Sequence, residues 1–163
     1  ESSSAVRSLL DIGFYLRHVA APGDLLIVDE PELNLHPSNQ RRVARLFARL
    51  LQQDIKVFIT THSDYIIKEL NTLILLNQES ARLQALTERE GYRKDELLDF
   101  KRVRVYIAEE SKIKLDGGKK KVTCKTLVPA NVAAETGIEA RSFDETIEEM
   151  NRIQDEIVWG GEA

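Results

Sequence analysis

The sequence predicts an α/β fold in which parallel strands are followed by an antiparallel hairpin and a C-terminal helix. Two short apolar runs, LLIVD (25–29) and IKVFIT (55–60), flank a segment with helical periodicity, and this order is typical of a parallel strand–helix–strand unit. Later, apolar and polar residues alternate on both sides of an Asp-Gly-Gly turn, as in an antiparallel hairpin. Residues 142–157 then return to helical spacing.

The composition is that of an ordinary globular protein. The chain has 163 residues, 42% hydrophobic and 31% charged, enough for one domain with a substantial core. The formal net charge of −4 gives no bulk electrostatic reason to expect nucleic-acid binding. The single cysteine, Cys124, excludes an internal disulfide framework and favours a reducing cytoplasm. No apolar run approaches the roughly 20 residues of a membrane span, so we expect no membrane partner.

The first half of the chain alternates predicted helices and strands. A serine-rich start suits a helix N-terminus, and Pro22 and Gly23 end that helix before the buried strand LLIVD. Pro37 suits the first turn of the next helix, whose apolar stripe is Val43, Leu46, Phe47, Leu50 and Leu51. A second buried strand follows, and SDYIIKELNTLILL (63–76) predicts a third helix.

The second half is more polar. Residues 78–100 predict a helix followed by an exposed connection. The predicted hairpin turns at Asp116-Gly117-Gly118, and the last helix starts with Ser142 and Glu145 spaced as a capping box.

Polar residues follow both predicted parallel strands. Asp29 and Glu30 come after the first strand, and the second ends at Thr60, Thr61 and His62. The carboxyl ends of parallel strands border the crevice in which open α/β sheets bind ligands. Adjacent carboxylates there are costly unless a cation or a reaction uses them. Taken alone, Asp29 and Glu30 are equally compatible with a solvated loop. His62 taken alone is more typical of an ordinary surface or core histidine.

The motif LLIVDEPELNLHP (25–37), followed one strand–helix unit later by VFITTHS (57–63), resembles the Walker B, D-loop and switch-histidine series of the ABC-type ATPases. It is most similar to their SMC/RecF/OLD-like branch, the AAA-type ATPase core of bacterial anti-phage defence proteins. ESSSAVRSLL (1–10) lies where that family has its signature motif. The resemblance implies a P-loop ATPase fold, with an ATPase core over 1–76 and an extension of the same domain over 77–163.

The resemblance also implies a role for each matching residue, with ATP and Mg²⁺ as the ligands. Asp29 would orient Mg²⁺ through water, Glu30 would polarise the attacking water, and His62 would contact the γ-phosphate. These roles agree with what phosphoryl transfer requires: an acid for the metal, a base and a contact to the transferred group.

Two further motifs imply a dimer. Asn34 and His36 match the D-loop, which crosses the dimer interface in this family. Ser2, Ser3 and Ser4 match the signature motif, which grips ATP bound to the opposite subunit. A helix N-terminus with serine hydroxyls suits that anion-binding role. This sequence departs from the transporter-type signature, because the glycine pair of that motif is absent here.

No G-x-x-x-x-G-K-[ST] motif occurs in these residues. The nearest segment, LDGGKKKVT (115–123), has the wrong spacing and lies in the predicted hairpin turn. We therefore expect the chain to be the C-terminal half of an ATPase that hydrolyses ATP only with an N-terminal half bearing Walker A, in the same or another polypeptide. The expected partners are that half, a second copy in a head-to-tail homodimer, and an effector subunit such as a nuclease or a toxin.

Several alternatives remain open from the sequence. The chain could be a non-enzymatic dimerisation or effector-binding module with a vestigial ATP site. A Toprim nuclease starting at VYIAEE, with Glu109 as metal ligand, lacks the later D-x-D that it needs. The hairpin lysines could bind nucleic acid, although an exposed hairpin whose charge prevents edge pairing is the favoured interpretation. They are Lys112, Lys114, Lys119, Lys120, Lys121 and Lys125.

Overall fold

The computed structural model describes residues 2–114, 121–139 and 141–159. Its helices and strands, in chain order, are α1 (Ser2–His18), β1 (Leu25–Asp29), α2 (Pro37–Gln52), β2 (Lys56–Thr60), α3 (Asp64–Leu75), α4 (Ala81–Arg89), β3 (Tyr106–Lys114), β4 (Lys121–Pro129), β5 (Val132–Ala133), β6 (Gly137–Ile138) and α5 (Arg141–Trp159). Short 3₁₀ helices occupy Lys94–Glu96 and Phe100–Arg102. The predicted helices and strands occur in the predicted order, and the short strands β5 and β6 are additional to them.

The chain forms two compact units. The first comprises Glu1–Val103 with Ala134–Gly137, and the second comprises Arg104–Ala133 with Ile138–Ala163. The architecture is mixed α/β, with a parallel pair in the first unit and an antiparallel hairpin and a C-terminal helix in the second. The assignment of 1–76 to an ATPase core and of 77–163 to its extension stays a prediction.

The strands of the first unit pair in parallel, as the sequence predicts. The register runs from Leu25 opposite Lys56 to Asp29 opposite Thr60. Helix α2 connects the two strands, so the chain forms a strand–helix–strand unit. Because the strands are parallel and Asp29 is paired with Thr60 at their last positions, the residues that follow these two lie at the same edge of the sheet.

The core of the first unit lies between α2 and one face of the parallel pair. Its centre consists of Leu35, Val43, Phe47, Leu50 and Ile55. Partly buried side chains from α1 and its C-terminal turn, and from alternate positions of both strands, pack against this centre: Leu9, Leu16, Ala20, Leu26, Val28, Val57 and Ile59. The amphipathic α2 therefore holds the strands in place, because its apolar stripe contacts every second residue of each strand.

The other face of the parallel pair is exposed, and here the prediction of fully buried strands is wrong. Leu25 is 58% exposed, Ile27 is 66% exposed and Phe58 is 55% exposed. Side chains of a strand alternate between its two faces, and in the part of the chain that the structure describes α2 covers one of them. We call Leu25, Ile27 and Phe58 the open sheet face.

Helix α3 is fixed to α2 by ion pairs as well as apolar packing. Glu69 of α3 is 3% exposed and accepts from Arg41 Nε at 2.5 Å and from Arg45 Nε at 2.6 Å. The guanidinium of Arg45 also lies 4.0 Å from the ring centroid of Tyr92. A carboxylate at this depth needs such partners, and the pairing keeps α3 at a fixed position on α2.

The second unit contains the predicted hairpin. β3 and β4 pair in antiparallel register from Tyr106 opposite Pro129 to Lys114 opposite Lys121. The predicted turn at 116–118 lies outside the described residues, and the side chains of the predicted capping box at 142 and 145 are likewise not described. Residues 148–159 of α5 are exposed. Among the described helices, none is long and apolar enough to cross a membrane.

A hydrogen-bonded carboxylate links α1 to the start of β1 and gives a prediction of pH dependence. Asp24 Oδ2 accepts from the Ala21 N–H at 2.9 Å and from the Tyr15 hydroxyl at 2.8 Å. The Ala21 N–H, and then the Tyr15 hydroxyl, lower the pKa of Asp24 below its ordinary value. A lowered pKa stabilises the fold above the unfolded-state pKa of about 4, and this contribution is lost as the pH falls through the folded-state pKa.

We therefore expect Asp24→Asn to lower the urea midpoint at pH 7 and to have a smaller effect at a pH below the lowered folded-state pKa, where the parent carboxyl also becomes protonated. Urea titrations of the chain at both pH values test this. Asp11→Asn, at an exposed position on α1, is the matched control and should leave the midpoint unchanged at either pH. An equal loss for Asp24→Asn at both pH values would contradict the prediction.

Candidate functional site

The carboxyl ends of β1 and β2 bring together the polar residues that the sequence places there. Thr60 links them: its hydroxyl donates to Asp29 Oδ1, and its carbonyl oxygen accepts from the Glu30 N–H at 3.0 Å. The Glu30 N–H also lies 3.2 Å from the Thr60 hydroxyl oxygen. Thr60 thus fixes both acids at the sheet edge, a role that the sequence did not reveal.

Glu30 has an unusual backbone conformation. Its φ is +44°, in the left-handed region. A non-glycine residue in this conformation is destabilised by on the order of 1–3 kcal/mol, and such residues cluster at functional sites. The chain turns sharply here, so two successive carboxylates have different partners. Asp29 contacts Thr60, whereas Glu30 Oε1 lies 3.6 Å from His62 Nε2.

His62 is largely in solvent. Its side chain is 86% exposed, and the Glu30 side chain is 37% exposed. A pair of this kind, open to solvent, is accessible to a substrate and to water. The predicted proximity of Glu30 and His62 is therefore present in the structure, whereas their catalytic roles stay predictions.

The residues predicted to form the D-loop lie in a tight turn between β1 and α2. Asn34 also has a left-handed backbone, with φ +60°. The turn is closed by N–H bonds from Leu33 to the Glu30 carbonyl at 3.1 Å and from Leu35 to the Glu32 carbonyl at 3.0 Å. His36 caps α2, because its Nδ1 accepts from the Ser38 N–H at 3.3 Å.

Two side-chain contacts join this turn to the segment that carries His62. The N–H of His62 donates to Glu32 Oε1 at 2.6 Å. Gln40 forms the second contact: its amide donates to the Leu35 carbonyl at 2.9 Å, and its Oε1 accepts from the Ser63 hydroxyl. Sequence reasoning missed both Glu32 and Gln40. The sequence signal for Glu32 was its position as a third acid only two residues after Glu30.

The predicted signature serines begin the first helix. The backbone of Ser2, Ser3 and Ser4 forms the first turn of α1, and their side chains lie outside the described part of the structure. Free amides at a helix N-terminus suit an anion. Their contact with a nucleotide in trans stays a prediction.

The metal role predicted for Asp29 fits the donors at this edge. Within the described residues, no group of three or more His, Cys, Asp or Glu side chains is arranged to hold a metal. Mg²⁺ does not require such a group, because it keeps several waters and binds through one or two carboxylates together with substrate phosphates. Asp29, an exposed carboxylate held by Thr60, is suited to that kind of site.

The second unit contains the residues on which the nuclease hypothesis and the hypothesis of nucleic-acid binding by the hairpin depend. Glu109, Lys112, Lys121 and Lys125 are exposed on β3 and β4. The side chains of Lys114, Lys119 and Lys120 lie outside the described part of the structure. Nucleic-acid binding by the hairpin lysines and nuclease chemistry at Glu109 therefore stay hypotheses from the sequence.

Comparison with known proteins yields one family match. Residues 3–68 match the family model described as "AAA domain, putative AbiEii toxin, Type IV TA system". The matched part extends from α1 into α3 and contains Asp29, Glu30 and His62. No curated protein and no solved structure matches the chain. The family match supports an AAA-type, P-loop-ATPase-like family and a nucleotide-binding, ATPase-like module over this part of the chain.

Proposed function

We propose that this chain is the C-terminal half of an ATP-hydrolysing, ABC-type ATPase of the SMC/RecF/OLD-like branch. The observation that carries the proposal is the Glu30–His62 pair, 3.6 Å apart beside Asp29, at the carboxyl edge of a parallel strand pair. These three residues lie within the AAA-type match.

In the proposed reaction, Glu30 orients a water molecule and accepts its proton as the water oxygen attacks the γ-phosphorus of ATP. The bond between that phosphorus and the β–γ bridging oxygen breaks, giving ADP and inorganic phosphate. His62 donates a hydrogen bond to a γ-phosphate oxygen and so stabilises the charge that develops there. Asp29 would hold Mg²⁺, which would supply neutralisation of the phosphate charge.

The phosphate cradle has to come from outside these 163 residues, since they contain no Walker A motif. We propose that the half bearing Walker A packs on the open sheet face. Contiguous exposed apolar surface of this kind is typical of an interaction site. Leu25, Ile27 and Phe58 lie on the same two strands that end at Asp29 and Thr60, so a half that docks there would lie beside the acids.

The remaining parts of the proposal concern assembly. Ser2, Ser3 and Ser4 would contact ATP of the opposite subunit, and Asn34 and His36 would contact that subunit in a head-to-tail homodimer that closes on ATP binding and opens on hydrolysis. The matching family description names a toxin and a type IV toxin–antitoxin system. An effector subunit such as a toxin or a nuclease, within an anti-phage defence or DNA-maintenance complex, is consistent with that description.

We expect the isolated chain to release negligible phosphate from Mg-ATP, because it lacks the backbone amides and the lysine of a P-loop. Adding the half that bears Walker A should produce magnesium-dependent turnover. Phosphate release from the chain, from the second half and from their mixture is the measurement, and a mixture made with Asp29→Asn is the negative control.

Two outcomes would change the conclusion. Robust turnover by the isolated chain would contradict the requirement for a second half. A mixture that binds ATP but never hydrolyses it would instead favour the alternative function, a dimerisation or effector-binding module with a vestigial site.

A further inference from the structure

We infer that Glu32 is a positioning residue for His62: its carboxylate fixes the backbone of the segment that carries His62 and thereby sets the distance from His62 to Glu30. This inference rests on the proposed function for the role of His62 in hydrolysis. It adds a residue to which the family resemblance assigned no role.

The contact itself is short and charge-assisted. Glu32 Oε1 accepts from the His62 N–H at 2.6 Å, and hydrogen bonds of an amide to an ionised carboxylate are roughly twice as strong as neutral ones. The imidazole of His62 has little packing of its own, because it is 86% exposed, and its Nε2 lies 3.6 Å from Glu30 Oε1. The location of the ring therefore depends on its backbone, which Glu32 holds.

The burial of the second oxygen of the same carboxylate, Glu32 Oε2, supports a positioning role for this side chain. Across residues 2–114, 121–139 and 141–159, the buried side-chain oxygens without a hydrogen-bond partner are Glu32 Oε2 and Asp64 Oδ1. Burying such an oxygen unpaired is unfavourable, whereas a glutamate in a surface turn can ordinarily rotate into water. Glu32 keeps the buried orientation, in which it reaches the His62 N–H.

Glu32 connects the turn that follows β1 to the segment that carries His62. It lies between Glu30 and Asn34, both with left-handed backbones, in the D-loop turn. Gln40 makes a second connection between the same two segments, because it contacts both Leu35 and Ser63. The turn and the His62 segment are therefore joined at two points. A displacement of the D-loop at the proposed dimer interface would therefore move His62 relative to Glu30.

The first test is kinetic and uses the complete ATPase, with both halves present. Misplacing a catalytic group by about 1 Å costs on the order of 10²-fold in rate, so Glu32→Ala should lower kcat by about that factor. The KM for ATP should change by less than about threefold, because Glu32 does not touch the nucleotide in the proposed mechanism. Glu32→Gln retains an acceptor oxygen for the His62 N–H and should recover most of the lost rate. Glu88→Ala, at an exposed position on α4, is the control and should have the parental kcat.

A double mutant separates positioning from general damage. If Glu32 acts through His62, then Glu32→Ala should cause no further loss of kcat in a His62→Ala background. Multiplicative losses would overturn the inference, as would a kcat for Glu32→Gln as low as that for Glu32→Ala.

The second test does not depend on hydrolysis, so it distinguishes failure of this inference from failure of the proposed function. In the ¹⁵N-labelled chain, Glu32→Ala should move the His62 amide resonance upfield and speed its hydrogen exchange, while Glu32→Gln should leave the amide protected. An unchanged His62 amide in Glu32→Ala would overturn the inference. A parental kcat for His62→Ala would instead overturn the catalytic role of His62, whatever the amide shows.

Discussion

Glu30→Gln in the complete form of the proposed ATPase is expected to slow ATP hydrolysis by about 10²–10⁴-fold, the usual contribution of a general base. Glutamine keeps the shape of the side chain but cannot accept the proton of the attacking water. Asp29 and its contact with Thr60 are unchanged, so the Mg²⁺ and ATP affinities should remain within about threefold of the parent. In the proposed cycle, ATP should then hold the head-to-tail dimer closed, because hydrolysis, the step proposed to open it, is blocked.

Phosphate release, nucleotide affinity and sedimentation in ATP measure these three effects. The substitution should not alter folding, because glutamine and glutamate are similarly strained at a φ of +44°. Glu88→Gln, on the exposed side of α4, is the matched control and should turn over at the parental rate. A Glu30→Gln protein that hydrolysed ATP normally would remove Glu30 from the mechanism.

Phe47→Ala is expected to destabilise the chain by about 3–5 kcal/mol, the range typical of a buried phenylalanine. Phe47 is 2% exposed and lies in the core between α2 and the strands, beside Val43 and Leu50. Removing its ring leaves a cavity at the point where α2 holds β1 and β2. A domain has about 5–15 kcal/mol of net stability, so the loss is a large part of the total.

Phe14→Ala provides the comparison, since Phe14 is 57% exposed on α1 and should cost less than about 1 kcal/mol. Urea unfolding of both variants, followed by circular dichroism, measures the difference. Equal losses would contradict the prediction, because they would show that the contacts of Phe14 on α1 stabilise the first unit as much as the core beneath α2 does.

The order of elements and the meeting of the acids with His62 could be predicted from the sequence. Helical periodicity located α2 and α3, because each buries one stripe on a neighbour. The two apolar runs located β1 and β2, and parallel pairing then brought the residues after Asp29 and Thr60 to one edge. This part of the site follows from the strand–helix–strand topology, which the sequence indicates through its apolar runs and its helical periodicity.

The exposure of the strands and the role of Glu32 could not be predicted. A continuous apolar run shows that both faces of a strand are suited to burial, but not which chain covers them, and so Ile27 was expected to be buried. The bond from the His62 N–H to Glu32 joins positions 30 residues apart and leaves no periodic trace. The left-handed backbone of Glu30 depends on tertiary contacts, because residues with a Cβ atom disfavour that region locally.

The open sheet face has a calorimetric consequence for the proposed assembly. Transferring Leu25, Ile27 and Phe58 from water into an interface would give association a negative change in heat capacity, the most reliable thermodynamic mark of apolar burial. The entropic part of that driving force weakens on cooling. An ATPase joined through this face would therefore dissociate more readily in the cold than at the growth temperature of its host, with every catalytic residue intact.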